Sequence, residues 1–372
     1  MPCNTPPPAV NPEHIEDHDE EEEDIIYDDD DIIELDVTDE SVLSFEAHDE
    51  AVFCCNFNKT GSLVVSGGQD ETAFVWNIND GDTVFECKGS HTDSVIAADF
   101  NHDSSLVATA GMDGIIEVWN VASKTKVWDN EITEITWISW HPNANFLFAG
   151  TTTGECWKWL VPDNSVCEVF ASHGEGASTG LLISNGTKCV VGYTDGLIKV
   201  WDTSGITAVG SSKDHTKNVT CLASSADGNL FISGSEDGTA KLFKTSNCKV
   251  LHVWSFQENK AVESLAYVKS HRLFAIGTGS GKLIIIDPAS YTERVSVNLQ
   301  DSIVKIVASD DSPILYIAAG CSVHCYDARN GNPVKKWDGH AACVLDISLS
   351  PDQRRFVTAS DDFICKLFPT DI

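Results

Sequence analysis

The chain has 372 residues, 42% of them hydrophobic, and a formal charge of −33 at pH 7. That balance argues against direct nucleic-acid binding, which needs clustered Lys and Arg, and favours a basic protein partner. No run of about 18 apolar residues occurs, so no membrane span is expected. The N-terminus lacks the basic region and apolar core of a secretory signal, and the 13 cysteines are an odd, scattered set. Both point to reduced thiols in the cytoplasm, with the nucleus as a second location.

Residues 1–40 come first, with 17 Asp or Glu and no Lys or Arg, leaving 40 acids against 24 bases for the rest. Low hydrophobicity and high charge make this stretch a disordered acidic tail. Within it, Ile25-Ile26-Tyr27 and Ile32-Ile33-Glu34-Leu35 are either accidents of composition or a short motif that docks on a partner or on the rest of the chain.

From residue 41 onward one unit repeats. In 91–119 the runs Ser94–Phe100, Leu106–Thr109 and Ile115–Trp119 are separated by turn residues, which makes three strands. Its markers are His91, Asp113 and Trp119, spaced by 22 and 6 residues. The same ruler fits His48, Asp70 and Trp76, then His173, Asp195 and Trp201. It fits His215, Asp237 and Phe243, and finally His340, Asp362 and Phe368. Three further units keep the strands without the polar pair. They carry Trp159, Ile286 and Tyr326 in the aromatic slot, so successive slots lie 40 to 43 residues apart. A period near 40–45 with four strands per unit marks a WD-repeat β-propeller. The fold expected is therefore all-β and eight-bladed, in one domain over 41–372.

The inner strands are predicted at 51–57, 94–100, 133–140, 177–183, 218–224, 261–267, 302–308 and 341–349. The third unit has Glu131 in the His slot and Thr153 in the Asp slot, and the seventh has Gly320 with a short turn. Residues 42–46 precede His48 as 83–87 precede His91, which makes them an outer strand. The last unit ends at Phe368 without one, so residues 42–46 are expected to close the ring.

His and Asp together can look catalytic, yet five copies at one spacing argue for architecture. They resemble the structural tetrad of WD propellers, whose Ser/Thr members here are Ser66, Thr109, Ser233 and Thr358, with Val191 in the fourth blade. A buried Asp needs hydrogen bonds, and the His supplies one while pinning the turn. Gly277–Lys282 resembles a phosphate loop but has Ile276 for the first Gly, Leu283 for Ser/Thr and no helix. Cys321, His324, Cys325 and His340 fail as a zinc site, because strand alternation puts His324 on the opposite face from Cys325. No enzyme motif, metal or cofactor is expected.

What remains is a surface. Loops at one end of a propeller form a cup where partners dock. The residues five after each His and one before each Asp select Phe53, Ile96, Ser178, Thr220 and Leu345, with Gln69, Met112, Thr194, Glu236 and Asp361. Apolar groups beside acids suit a basic, partly apolar peptide, unless they pack on neighbouring blades.

One family is similar along nearly the whole chain: the angio-associated migratory cell protein family. The residues carrying this resemblance are Asp31-Ile32-Ile33-Glu34-Leu35-Asp36, Ala73-Phe74-Val75-Trp76 and Val84-Phe85-Glu86-Cys87-Lys88-Gly89. Others are His102-Asp103-Ser104, Leu106-Val107-Ala108-Thr109, Val190-Val191-Gly192-Tyr193 and Val262-Glu263-Ser264-Leu265. Ser90, inserted before His91, and the short seventh unit depart from it. The resemblance implies a non-enzymatic cytoplasmic propeller linked to cell migration and angiogenesis, as a signalling scaffold; separately, a monomer is expected. A fungal relative implies instead a chaperone of a basic large-subunit ribosomal protein during ribosome assembly.

Overall fold

The computed structural model describes residues 38–89, 91–256 and 260–371. The acidic tail therefore lies outside the described residues, apart from 38–40. Eight four-stranded antiparallel sheets follow one another. Their inner strands are Val52–Phe57, Val95–Phe100, Ile135–Trp140, Thr179–Ile183, Val219–Ser224, Val262–Val268, Ile303–Ala308 and Val344–Leu349. Each inner strand packs beside the next, and the eighth packs beside the first, so the sheets form an eight-bladed β-propeller. The seventh blade is complete, its two-residue Gly320-Cys321 turn joining Ile314–Ala319 to Ser322–Asp327.

Burial peaks in the second strand of a blade and falls towards the outer one, and residue type follows it. In the second blade every residue of Leu106–Gly111 is buried, whereas Thr125–Glu131 is mostly exposed. A strand covered on both faces reads as an apolar run, and one at the rim alternates or turns polar. The core is eight layers, one between each pair of neighbouring blades. No blade buries its faces alone, which is why the repeat must stack.

The eighth blade takes its outer strand from the other end of the chain. Leu43–Phe45 pairs antiparallel with Cys365–Pro369, in the register Leu43↔Leu367 and Phe45↔Cys365. Lys366 Nζ reaches Asp39 at 2.6 Å and the Gly339 carbonyl at 2.7 Å. Burial opposes ionisation of Asp39, but bonds from Lys366 and Ser41 hold its pKa below the usual carboxylate value. The ring of Phe45 stacks on Trp76, 4.8 Å between centroids.

Candidate functional site

The top rim is built by two repeated backbone devices. First, in seven blades the pairing of the inner strand with its neighbour shifts after the first residue. The residue skipped is Phe53, Ile96, Thr136, Thr220, Glu263, Val304 or Leu345. A bulge of this kind re-aims a side chain and ends the pairing at the rim. Second, the residue before each Asp position donates its backbone N–H to the carbonyl just before the inner strand. Gln69 bonds Ala51 at 2.8 Å, Met112 bonds Ser94 at 2.9 Å, and Thr194 bonds Gly176 at 2.9 Å. Glu236 bonds Asn218 and Asp361 bonds Cys343, both at 3.0 Å. Each bond ends two residues before the selected residue of the inner strand, so the two selected sets lie close along the same rim.

Beneath the rim the His–Asp pairs fasten the turns. His48 Nδ1 lies 2.9 Å from Asp70 and Nε2 2.9 Å from Ser66 Oγ. A carboxylate only accepts, so Nδ1 carries the proton and Nε2 accepts from the serine hydroxyl. His215 repeats this with Asp237 at 2.9 Å and Ser233 at 2.7 Å. His340 does so with Asp362 at 2.8 Å and Thr358 at 2.7 Å. His91 bonds Thr109 at 3.0 Å but stands 3.5 Å from Asp113. His173, lacking a hydroxyl partner, meets Asp195 at 2.9 Å, and Lys213 joins the same carboxylate at 2.6 Å. Burial opposes ionisation of Asp195, yet Lys213 and His173 hold its pKa at about 2.

The aromatic member contributes packing. Trp76 and Trp119 are buried, and the indole N–H of each has no hydrogen-bond partner among the described residues. Phe243 and Phe368 fill the same slot without an N–H; Phe243 stacks on Phe231 and Phe368 on Phe356, at 4.8 and 5.1 Å.

On the rim, blades 2 to 4 and the loop entering blade 5 border an open cavity of about 550 Å³. Ile96, Met112, Ser178 and Thr194 line it. The other sequence-selected residues, Phe53, Gln69, Thr220, Glu236, Leu345 and Asp361, lie elsewhere on the rim, on blades 1, 5 and 8. Sequence reasoning missed Glu134, Thr136, Thr152, Glu175 and Asn218, which complete the cavity wall. Counting from the degenerate slots of the third unit finds two of them: Glu131 plus five is Thr136, and Thr153 minus one is Thr152.

Not every rim side chain is free for a partner. Thr136 donates its hydroxyl to the Ala177 carbonyl at 2.5 Å, Ser178 donates to Val219 at 2.7 Å, and Thr220 donates to Val262. These three hydroxyls tie each inner strand to the next blade. Ile96, Met112, Glu134 and Glu175 carry no such tie, and the cavity wall holds two carboxylates and no Lys, Arg or His. The acid continues around the rim. Burial, then the neighbouring Glu236, raises the pKa of Glu263, while Asn218 bonds Glu236 at 3.0 Å. A larger hollow of about 640 Å³ lies at the opposite end of blades 5 and 6, lined by Lys269, His271 and Arg272 with Asp227 and Asp287. Its charges balance, and Asp287 is already paired with Arg294.

A WD40-like domain model matches residues 50–360. The human angio-associated migratory cell protein is 36% identical, over 89% of this chain and 80% of its own length. The chain belongs to the WD40-like, angio-associated migratory cell protein family. A more distant relative of the family is the ribosome assembly protein SQT1 of Saccharomyces cerevisiae, 24% identical over 90% of this chain and 88% of that protein. Two solved structures share the family's propeller. Saccharomyces cerevisiae Sqt1 has a TM-score of 0.83 at 21% identity, covering 90% of this chain and all of that one. Chaetomium thermophilum Sqt1 bound to the N-terminus of ribosomal protein L10 has a TM-score of 0.82 at 21% identity, with the same coverage.

Proposed function

We propose that this propeller is a non-enzymatic, monomeric escort in the cytoplasm, and secondarily the nucleus, for a basic client such as a large-subunit ribosomal protein. The observation that carries this reading is the acidic rim: a cavity with Glu134 and Glu175 beside Ile96 and Met112, no cation in its wall, and the like-charged pair Glu236 and Glu263 further round. A Lys or Arg side chain would lay its stem on the apolar floor and its head against the carboxylates. A relative named for ribosome assembly, and a Sqt1 structure that holds the N-terminus of ribosomal protein L10, fit this chemistry. The acidic tail would add to the field that draws in a basic client.

The test is affinity purification of the full chain from cell extract at low and high salt, beside the double variant Glu134→Lys, Glu175→Lys. The expected result is a basic ribosomal protein recovered at low salt, released by salt and missing from the double variant. Recovery of no ribosomal protein at low salt would overturn the reading. The kinship with the angio-associated migratory cell protein favours a second one, a signalling scaffold in cell migration and angiogenesis. That reading predicts several partners whose binding survives high salt.

A further inference from the structure

The seam between blades 7 and 8 carries two exposed cysteines, Cys321 and Cys343. Of the other ten described cysteines nine are buried or half-buried, with thiols pushed well above their ordinary range where burial is complete, and the tenth, Cys167, is exposed on blade 3. The exposed pair arises from a local departure in the repeat. Blade 7 replaces the longer Asp-type turn with the two-residue Gly320-Cys321 hairpin, Ala319 pairing directly with Ser322. Gly320 adopts φ +56°, and a Cβ there would lie 2.7 Å from Asp301 Oδ2. Across the seam, Val344 donates its N–H to the Gly320 carbonyl at 2.8 Å. That bond holds Cys321, one residue after Gly320, beside Cys343, one residue before Val344.

We propose that Cys321 and Cys343 are a redox modification site, an exposed dithiol that closes into a disulfide stapling blade 7 to blade 8. A disulfide needs its two backbones already close, and the seam hydrogen bond holds the residues next to both cysteines at 2.8 Å. Burial, then the Cys343 thiol and the carboxylates of Asp301 and Asp362, raises the pKa of Cys321. Cys321 is thereby the less ready first nucleophile, and the exchange is proposed to start at Cys343. Its thiolate displaces one glutathione thiolate from glutathione disulfide, forming a mixed disulfide. Cys321 then loses its proton to solvent and attacks the Cys343 sulfur, releasing the second glutathione. In sum, one protein dithiol and one glutathione disulfide give one protein disulfide and two glutathione thiols. Exposed disulfides of this kind are readily reduced again, which suits a reversible mark. The bond would pin the rim where the Cys343 carbonyl accepts from Asp361 at 3.0 Å and where Leu345 forms the bulge.

The experiment treats the reduced, full chain with glutathione disulfide and reads intact mass and a peptide map, beside Cys321→Ser. Both sites are exposed, so the variant folds as the parent does. The expected wild-type product carries no glutathione on Cys321 or Cys343 and contains a Cys321–Cys343 linked peptide, two hydrogens lighter than the free pair, that dithiothreitol releases. Cys321→Ser should stop at a glutathione adduct on Cys343. Wild-type protein that also stops at adducts on Cys321 or Cys343, or that links either cysteine to a different one, overturns the proposal.

Discussion

Blades 1, 5 and 8 and blades 3 and 6 fasten the same turn with different chemistry. In the first group one carboxylate collects at least three donors, and Asp237 adds a fourth, the Thr239 hydroxyl at 2.6 Å. Asp237 takes the His215 ring at 2.9 Å, the Thr216 N–H at 3.0 Å and the Thr239 N–H at 3.0 Å. Asp70 and Asp362 repeat the set. In the second group a threonine two residues earlier takes over the turn. Thr151 Oγ1 accepts from the Glu155 N–H at 3.2 Å, and Thr278 Oγ1 from the Lys282 N–H at 3.0 Å. Thr153 and Ser280 stand in the Asp position and bond those threonines at 3.0 Å each. The turn needs an acceptor for one N–H. The His–Asp pair adds a second tie, to the loop that enters the blade.

The comparison breaks most visibly at Asp237→Ala. The change takes the carboxylate acceptor from the buried His215, from two backbone donors and from the Thr239 hydroxyl, which should cost about 3 kcal/mol, read from the midpoint of chemical denaturation. Asp113→Ala should cost less, because His91 stands 3.5 Å from that carboxylate. Equal costs would show that the His–Asp bond is not what the first group gains.

A second effect is specific to blade 5. Burial lowers the pKa of His215 although Asp237 opposes it, so the ring is neutral in the fold. The unfolded chain then binds more protons below about pH 6.5. This part of the stability is present above that pH and lost as pH falls. Burial opposes ionisation of Asp237 too, but bonds from Thr239, Thr216 and His215 hold its pKa at about 2. Its share is present above about pH 3.9 and lost as pH falls towards 2. Melting temperature against pH should therefore show two descents. His215→Gln should flatten the first, whose slope is at most about 1.4 kcal/mol per pH unit for one proton. A wild-type curve flat from pH 7 to 5 would contradict this.

Smaller still is Thr278→Val, which removes a single acceptor from the turn of blade 6 and should cost about 1 kcal/mol. A loss matching that of Asp237→Ala would mean that the two fastenings are equivalent.

The repeat and its period were legible because Asp, Trp and Gly recur where the turn geometry leaves little choice. The inner strands fall within a residue or two of their predicted starts, except the eighth, where Val344 begins three residues late because Ala341 to Cys343 form the seam. The rim was less legible. A bulge leaves no fixed residue type: Phe53, Ile96, Thr136, Thr220, Glu263, Val304 and Leu345 share only a position in the register. Selecting by His therefore lost Thr136, Glu263 and Val304, the bulges of the three units without that marker. The destinations of the Ser178 and Thr220 hydroxyls depend on the adjacent blade, about 41 residues away, and no local pattern carries that.

The smallest effect concerns the residue after the Asp position. Blades 2, 3, 4, 5 and 6 place Gly114, Gly154, Gly196, Gly238 and Gly281 there, all at positive φ. In blade 3 the requirement is steric as well, since a Cβ on Gly154 would meet the Glu175 carbonyl at 2.1 Å. Blade 8 instead holds Phe363 at φ 72°, with 46% of its surface exposed. A bulky residue in the left-handed region costs about 1 kcal/mol, and the exposed ring returns little of it by burial. Phe363→Gly should therefore raise the denaturation midpoint, by less than about 1 kcal/mol because the unfolded chain also gains freedom. Strain kept at an exposed aromatic beside Asp361 is a reason to suspect use. The same variant should then bind a basic client more weakly while being more stable. A variant both less stable and unchanged in binding would make Phe363 an ordinary packing residue of blade 8.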